Sequence, residues 1–133
     1  MRIAAFLHQQ QPHVGLVSDD LQSVTPFDMS LEQRALGALP IVEMLARGDA
    51  LPPVLMALSL SAVTLRAPLP QPRRNIFCVG KNYHAHAQEF ARSGFDTSAK
   101  PGGEIPTAPI IFTKVPECVI ATGAAIEVPA GVS

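Results

Sequence analysis

Positive charge is scarce in this chain and scattered along it. Ten Lys and Arg face eleven Asp and Glu, for a net charge of −1 at neutral pH. Only Arg73-Arg74 places two cations side by side. A nucleic-acid groove or an acidic-membrane surface needs a basic patch or stripe, so both partners are excluded. Cysteine is equally thin. Cys78 and Cys118 each sit in an apolar run, 40 positions apart. They read as small buried hydrophobes in a reducing compartment rather than as a disulfide framework, and their separation excludes a local metal motif. No apolar run reaches the ~20 residues of a membrane span. The start, Met1 to His8, is too short for a signal-peptide core and has no cleavage site. The expected location is therefore the cytoplasm. No internal repeat is visible.

What is present suits a globular domain. The 133 residues match one ordinary domain, and 47% of them are hydrophobic, enough for a core and too many for wholesale disorder. Of the thirteen prolines, about twice the usual share, nine fall at residues 52–53, 68–72, 101–109 and 116, where they punctuate the chain.

Residues 2–7 and 13–18 are mixed apolar runs around Gln9-Gln10-Gln11-Pro12, a pattern for a hairpin with a longer loop. Leu21 to Val24 suggests a third strand. Ser30-Leu31-Glu32-Gln33 has the spacing of a capping box, and Leu31, Ala35, Leu36 and Leu39 follow at helical intervals. Pro40 should kink or restart that helix, and Gly48 should end it. Residues 65–74 carry alternating prolines that resist helix and central strand, so a boundary is expected there.

Beyond it, Ile76-Phe77-Cys78-Val79 reads as a buried strand that delivers Gly80-Lys81-Asn82-Tyr83-His84-Ala85-His86-Ala87-Gln88-Glu89. A rigid strand end fixes where such a polar cluster points. The alanines, Gln88 and Glu89 favour a short helix, which would put Tyr83, His86 and Glu89 on roughly one face. A carboxylate behind an imidazole sets its tautomer and stabilises its charged form, the arrangement that draws a proton from water. His84 falls on another face. A surface His–Glu pair can also be inert. On a strand, His84-x-His86 with Glu89 would instead offer a cupin-like metal set.

His8 and His13, beside the Gln/Pro turn, read as solvated loop residues. Lys114 ends the strand Pro109 to Lys114, either as a solvated terminus or as a hold for a substrate carboxylate. Residues 92–108 are rich in Gly and Pro and have no periodicity, the signature of a lid or a passive loop. Cys118 to Ile120 and Ala125 to Val128 flank Thr122-Gly123, as in a hairpin.

Three segments together resemble the fumarylacetoacetate hydrolase family. They are the proline-rich entry through Cys78-Val79-Gly80, the run Asn82-Tyr83-x-x-His86-x-x-Glu89, and Pro109 to Lys114 followed by Gly123 and Ile126-x-x-Pro129. The resemblance implies an α+β chain. A small N-terminal β/helix domain, residues 1–66, is followed by the first strands of a mixed β-roll, residues 67–133, which is incomplete. It implies a metal-dependent hydrolase or lyase acting on small oxo-acids, 1,3-diketones such as acylpyruvates. His86 and Glu89 would be the proton-transfer dyad, with Tyr83 and Lys114 on the substrate side and loop 92–108 as the lid. It also implies a homodimer and Mg²⁺ or Mn²⁺ as cofactor.

The family's metal-binding Glu-x-Glu pair does not occur among Glu32, Glu43, Glu89, Glu104, Glu117 and Glu127. The metal ligands are therefore expected outside this chain, which resembles the first half of a family member and is expected to be inactive alone. The alternative is a catalytically inactive fragment or interaction subunit.

Overall fold

The computed structural model describes residues 1–92, 108–128 and 130–131. The architecture is α+β, and the chain divides into two compact units, residues 1–72 with 117–133, and residues 73–116.

The first unit is built on a five-stranded sheet of order β4-β3-β2-β1-β5, antiparallel at every pairing. Its strands are β1 (Arg2–His8), β2 (Gln11–Val17), β3 (Ser23–Pro26), β4 (Leu58–Ser59) and β5 (Thr64–Leu65). The β1–β2 turn is tighter than the sequence suggests. Only Gln9 and Gln10 lie outside the strands, and both take left-handed φ values, 50° and 64°. That is the backbone of a two-residue turn whose twist matches the strands. Pro12 consequently lies inside β2 opposite Leu7, next to the closing pair His8–Gln11. The pairs of an antiparallel ladder alternate, so Leu7–Pro12 is a pair that exchanges no hydrogen bonds. β3 pairs only from Gly15 onward, so no neighbour needs an amide from Pro12.

β3 also begins later than expected. Leu21 sits in the β2–β3 turn with φ 59° rather than in a strand. Asp20 braces this turn: its Oδ1 accepts from Ser18 Oγ at 2.6 Å and from the Gln22 amide at 3.1 Å. The Ser18 hydrogen bond first, and then the Gln22 amide, hold the Asp20 carboxyl below its ordinary pKa.

Two helices cover one face of the sheet. α1 (Leu31–Ala35) begins with the expected capping box, in which Gln33 N donates to Ser30 Oγ at 3.3 Å and Ser30 N donates to Gln33 Oε1 at 3.1 Å. The break after it comes at Gly37, with φ 66°, and α2 (Leu39–Arg47) then starts with Pro40 in its first turn. Pro40 thus restarts the helix, because the first-turn amides have no intrahelical acceptor to lose. Gly48 ends α2 in the left-handed region, with Asp49 N reaching Met44 O at 2.9 Å. Val14, Phe27, Met29 and Ile41 form the core, with Ile3, Leu16, Met44 and Leu51 packed around it. Burying each large side chain contributes roughly 1.5–3 kcal/mol.

Two residues of the turn region depart from the loop reading. His8 and His13 both lie in strands. His13 stacks on Phe6 with ring centroids 5.6 Å apart, because residues 6 and 13 are cross-strand partners. Later in the chain, Gly123 has φ 80° and Ala124 N closes a turn on Ala121 O, but no ladder joins 118–120 to 125–128. No helix among the described residues is long and apolar enough to cross a membrane.

The second unit holds β6 (Ile76–Gly80), α3 (His84–Arg92) and β7 (Ile110–Lys114). β6 and β7 form a two-stranded antiparallel sheet running from Ile76–Lys114 to Gly80–Ile110. β6 is not a buried strand: Phe77 is 71% exposed, and Ile111 across the sheet is 64% exposed. Two strands alone cannot cover both faces, so alternate side chains of β6 and all five of β7 meet solvent. Cys78 is half-buried and Cys118 exposed, which corrects the expectation that both are buried.

Candidate functional site

The site region is the junction where β6 passes into α3. Gly80 closes the strand, Lys81 turns the chain with φ 50°, and the Tyr83 carbonyl accepts from Ala87 N at 2.9 Å, the first bond of the helix. Alanine and glutamine-type residues carry the helix on from there. At 100° per residue, His86 and Glu89 lie about 60° apart around α3, so both sit on one side of it. Ala87 marks the buried side at 5% exposure, while His84, His86 and Glu89 are exposed. The dyad positions therefore face away from the helix's packed side.

The helix also settles the premise of the metal-set reading. His84 and His86 are two apart on a helix, so they diverge by about 160° instead of pointing together as on a strand. Among the described residues, no three His, Cys, Asp or Glu side chains group as metal ligands. A hard cation prefers several carboxylate and carbonyl oxygens. The described donors do not fit Mg²⁺ or Mn²⁺.

The other expected site residues are placed as follows. Tyr83 immediately precedes α3 and is 72% exposed. Lys114 pairs with Ile76, at the end of the sheet opposite Gly80, about 14 Å along the strand at 3.4 Å per residue. Its Nζ lies 5.9 Å from the Phe112 ring centroid, within cation–π range. The structure thus brings Tyr83, His86 and Glu89 to one junction and sets Lys114 at the far end of the β6–β7 ladder. Loop 92–108, apart from Arg92 and Ala108, lies outside the described residues. Sequence reasoning gave no role to Lys81, whose left-handed backbone had no signal beyond its position between Gly80 and Asn82.

A strand that hands a Tyr, a His and a Glu to a short helix defines an α+β unit with enzyme-like polar groups at a strand end. Residues 75–133 match the C-terminal domain of fumarylacetoacetate hydrolase. The chain is also 43% identical over 65 residues to oxaloacetate tautomerase YisK of Bacillus subtilis (strain 168). That stretch is 49% of this chain and 19% of that relative's length. Over residues 75–133 the chain is therefore similar to the fumarylacetoacetate hydrolase family.

Proposed function

We propose that this chain contributes the proton-transfer site of a family enzyme acting on small oxo-acids, with 1,3-diketo acids such as acylpyruvates and oxaloacetate as the substrate class. The observation that carries this reading is the pair His86–Glu89, on one side of α3 at the end of β6. In the reaction, the C–H bond beside the keto group breaks and an imidazole nitrogen of His86 takes the proton. The electron pair moves into the C–C bond, and the keto oxygen becomes an enol oxygen that receives a proton. No electrons are gained or lost, so no redox partner is needed. Glu89 orients the imidazole and stabilises its protonated form. Tyr83 and Lys114 stay on the substrate side of this reading.

Carbon–carbon hydrolysis or lyase chemistry also passes through an enolate, and Mg²⁺ or Mn²⁺ held by residues outside the described ones would supply Lewis-acid stabilisation to it in the complete enzyme. The mixed β-roll, the two-domain division at residue 66, the homodimer and the cytoplasmic location belong to the same proposal. The test is exchange of the methylene protons of oxaloacetate in D₂O, followed by NMR, in the complete enzyme that carries this chain, since the chain alone is expected to be inactive. Exchange above the buffer rate should fall ~10²–10⁴-fold in His86→Gln, the usual worth of a general base. Equal exchange by both proteins and by buffer would remove the catalytic role. A second reading, a non-catalytic interaction subunit, is favoured by exposed Phe77, Val79 and Ile111 on one face of the β6–β7 sheet. It predicts self-association in light scattering together with buffer-rate exchange.

A further inference from the structure

His8 and His13 lie on the same face of the first unit's sheet. His8 pairs with Gln11, and His13 pairs with Phe6 two rungs further along the β1–β2 ladder. Side chains two rungs apart share a face, so the imidazoles are diagonal cross-strand neighbours. Their ring centroids are 6.3 Å apart, with 61° between the planes. Both strands are paired along their full length beneath the rings, so the backbone fixes how far apart the two side chains start.

His13 carries a nitrogen that the chain does not satisfy. Its Nδ1 is buried and has no hydrogen-bond partner among the described residues. A buried polar atom left in that state is costly, and a water or an ion is a common explanation for one. A half turn of the ring about its Cβ–Cγ bond puts a carbon in the apolar slot and carries Nδ1 to the other edge. The turn leaves the ring plane unchanged, so the stack on Phe6 at 5.6 Å is kept. Burial first, then Arg34 and then His8 lower the pKa of His13. The ring is therefore neutral at neutral pH, the form that ligates a metal.

The surroundings select the kind of ion. A hard cation needs several oxygen ligands, and among the described residues no third His, Cys, Asp or Glu joins the pair. Arg34, whose Nε donates to Met29 O at 2.6 Å, adds positive charge near His13, which repels an ion held by charge alone. A borderline transition ion bonds neutral imidazole nitrogen and accepts water at its remaining positions. Two imidazoles on one tetrahedral Zn²⁺, at about 2.0–2.1 Å from each nitrogen, have ring centres about 5 Å apart. A small rotation of the half-buried His8 side chain closes the difference.

We propose that His8 and His13 form a two-imidazole site for a borderline divalent transition metal, which clamps β1 to β2 beside their turn. The site belongs to the first unit and does not depend on the chemistry proposed for α3.

The test is a titration of the full chain with Zn²⁺ at neutral pH, read by NMR on the ring protons of its four histidines. His8 and His13 should shift together and saturate at one ion per chain, and Mg²⁺ should move neither. His8→Gln removes one ligand from the exposed side of the ladder, and His13→Phe removes the other while keeping the stack on Phe6. Losing one arm of a two-point attachment costs ~10²-fold in affinity, so the remaining histidine of each variant should need ~100-fold more Zn²⁺. An ion that binds only the folded chain also raises the urea midpoint, and that rise should vanish in both variants. A His13 shift in His8→Gln at the same Zn²⁺ concentration as in the wild type would overturn the shared site, as would movement of only one of the two rings in the wild type. A doubling of mass in light scattering on adding Zn²⁺ would overturn it too, because the ion would then be shared between two chains.

Discussion

Gly37 and Gly48 separate two costs that usually come mixed. Both have left-handed φ values, 66° and 75°. A Cβ built on Gly48 meets nothing within 4 Å. A Cβ on Gly37 would lie 2.4 Å from the Pro68 carbonyl oxygen and 2.5 Å from Pro70 Cδ. That same carbonyl accepts from Ala38 N at 2.8 Å, the bond that seats the proline-rich segment against the α1–α2 corner. Gly48→Ala therefore costs the left-handed penalty alone, about 1 kcal/mol. Gly37→Ala costs that penalty plus displacement of a carbonyl that must retreat by most of an ångström. Overpacking of this kind costs roughly 1–3 kcal/mol, and losing the Ala38 hydrogen bond adds about 0.5–1.5 kcal/mol. Gly37→Ala should lose ~4 kcal/mol in total. Urea denaturation followed by far-ultraviolet circular dichroism reads both variants against the wild type, with the slopes compared to confirm a common unfolding transition. The gap of ~3 kcal/mol between the two alanines is the contribution of the clash together with the lost hydrogen bond. Equal losses would show that the segment at Pro68 yields freely, and the argument that it is seated by Gly37 would fall.

Two further outcomes concern the first unit, and a third compares one cysteine from each unit. His13 should make stability fall in mild acid. Its pKa is lowered, first by burial and then by the positive Arg34 and by His8, and its buried Nδ1 has no hydrogen-bond partner among the described residues. The unfolded chain therefore binds the proton more readily than the folded one. The stabilisation is complete above the unfolded value of 6.5, declines as pH drops through it, and levels off below the folded value. Urea midpoints between neutral pH and mild acid should show this decline, and His13→Phe, which keeps the stack on Phe6, should flatten it; an unchanged slope would place the effect elsewhere. Ile41→Ala, at the fully buried centre of the α2–sheet contact, should cost ~2–5 kcal/mol by the same assay, and a loss below 1 kcal/mol would mean that the neighbouring side chains close the cavity. Iodoacetamide should label Cys118 ahead of half-buried Cys78, as mass spectrometry of the peptides would reveal; the reverse order would contradict the exposures.

Much of the fold was legible where a local rule acts alone. The capping box at Ser30 and Gln33, the restart at Pro40 and the Gly48 cap each depend on a few adjacent residues, and each forms as its chemistry dictates. Strands 76–80 and 110–114 carry β-branched and aromatic runs bounded by turn signals, and they pair. Burial was less legible, because it depends on what lies across a face rather than on the run itself. Cys118 sits among apolar neighbours in sequence yet ends a short 3₁₀ turn in solvent. The hairpin expected around Thr122-Gly123 has its turn but no ladder, since a turn needs four residues and a ladder needs register on both sides.

The site was legible in its helix and less so in its turn. His86 and Glu89 could be placed together because a period of 3.6 is a property of sequence spacing. The residues that escaped reading share one feature. Gln9, Gln10, Leu21 and Lys81 are the described non-glycine residues with positive φ, and none is a type that announces a left-handed turn. At Gln9 and Gln10 the strain is offset by a seven-pair ladder closing directly behind it, so tertiary pairing explains the exception. At Leu21 the hydrogen bonds of Ser18, Asp20 and Gln22 fix the turn around it. At Lys81 the strand behind ends at Gly80 and the helix ahead begins at His84, so the chain must reverse within three residues, and the left-handed backbone is set by the two elements it joins rather than by the residue type.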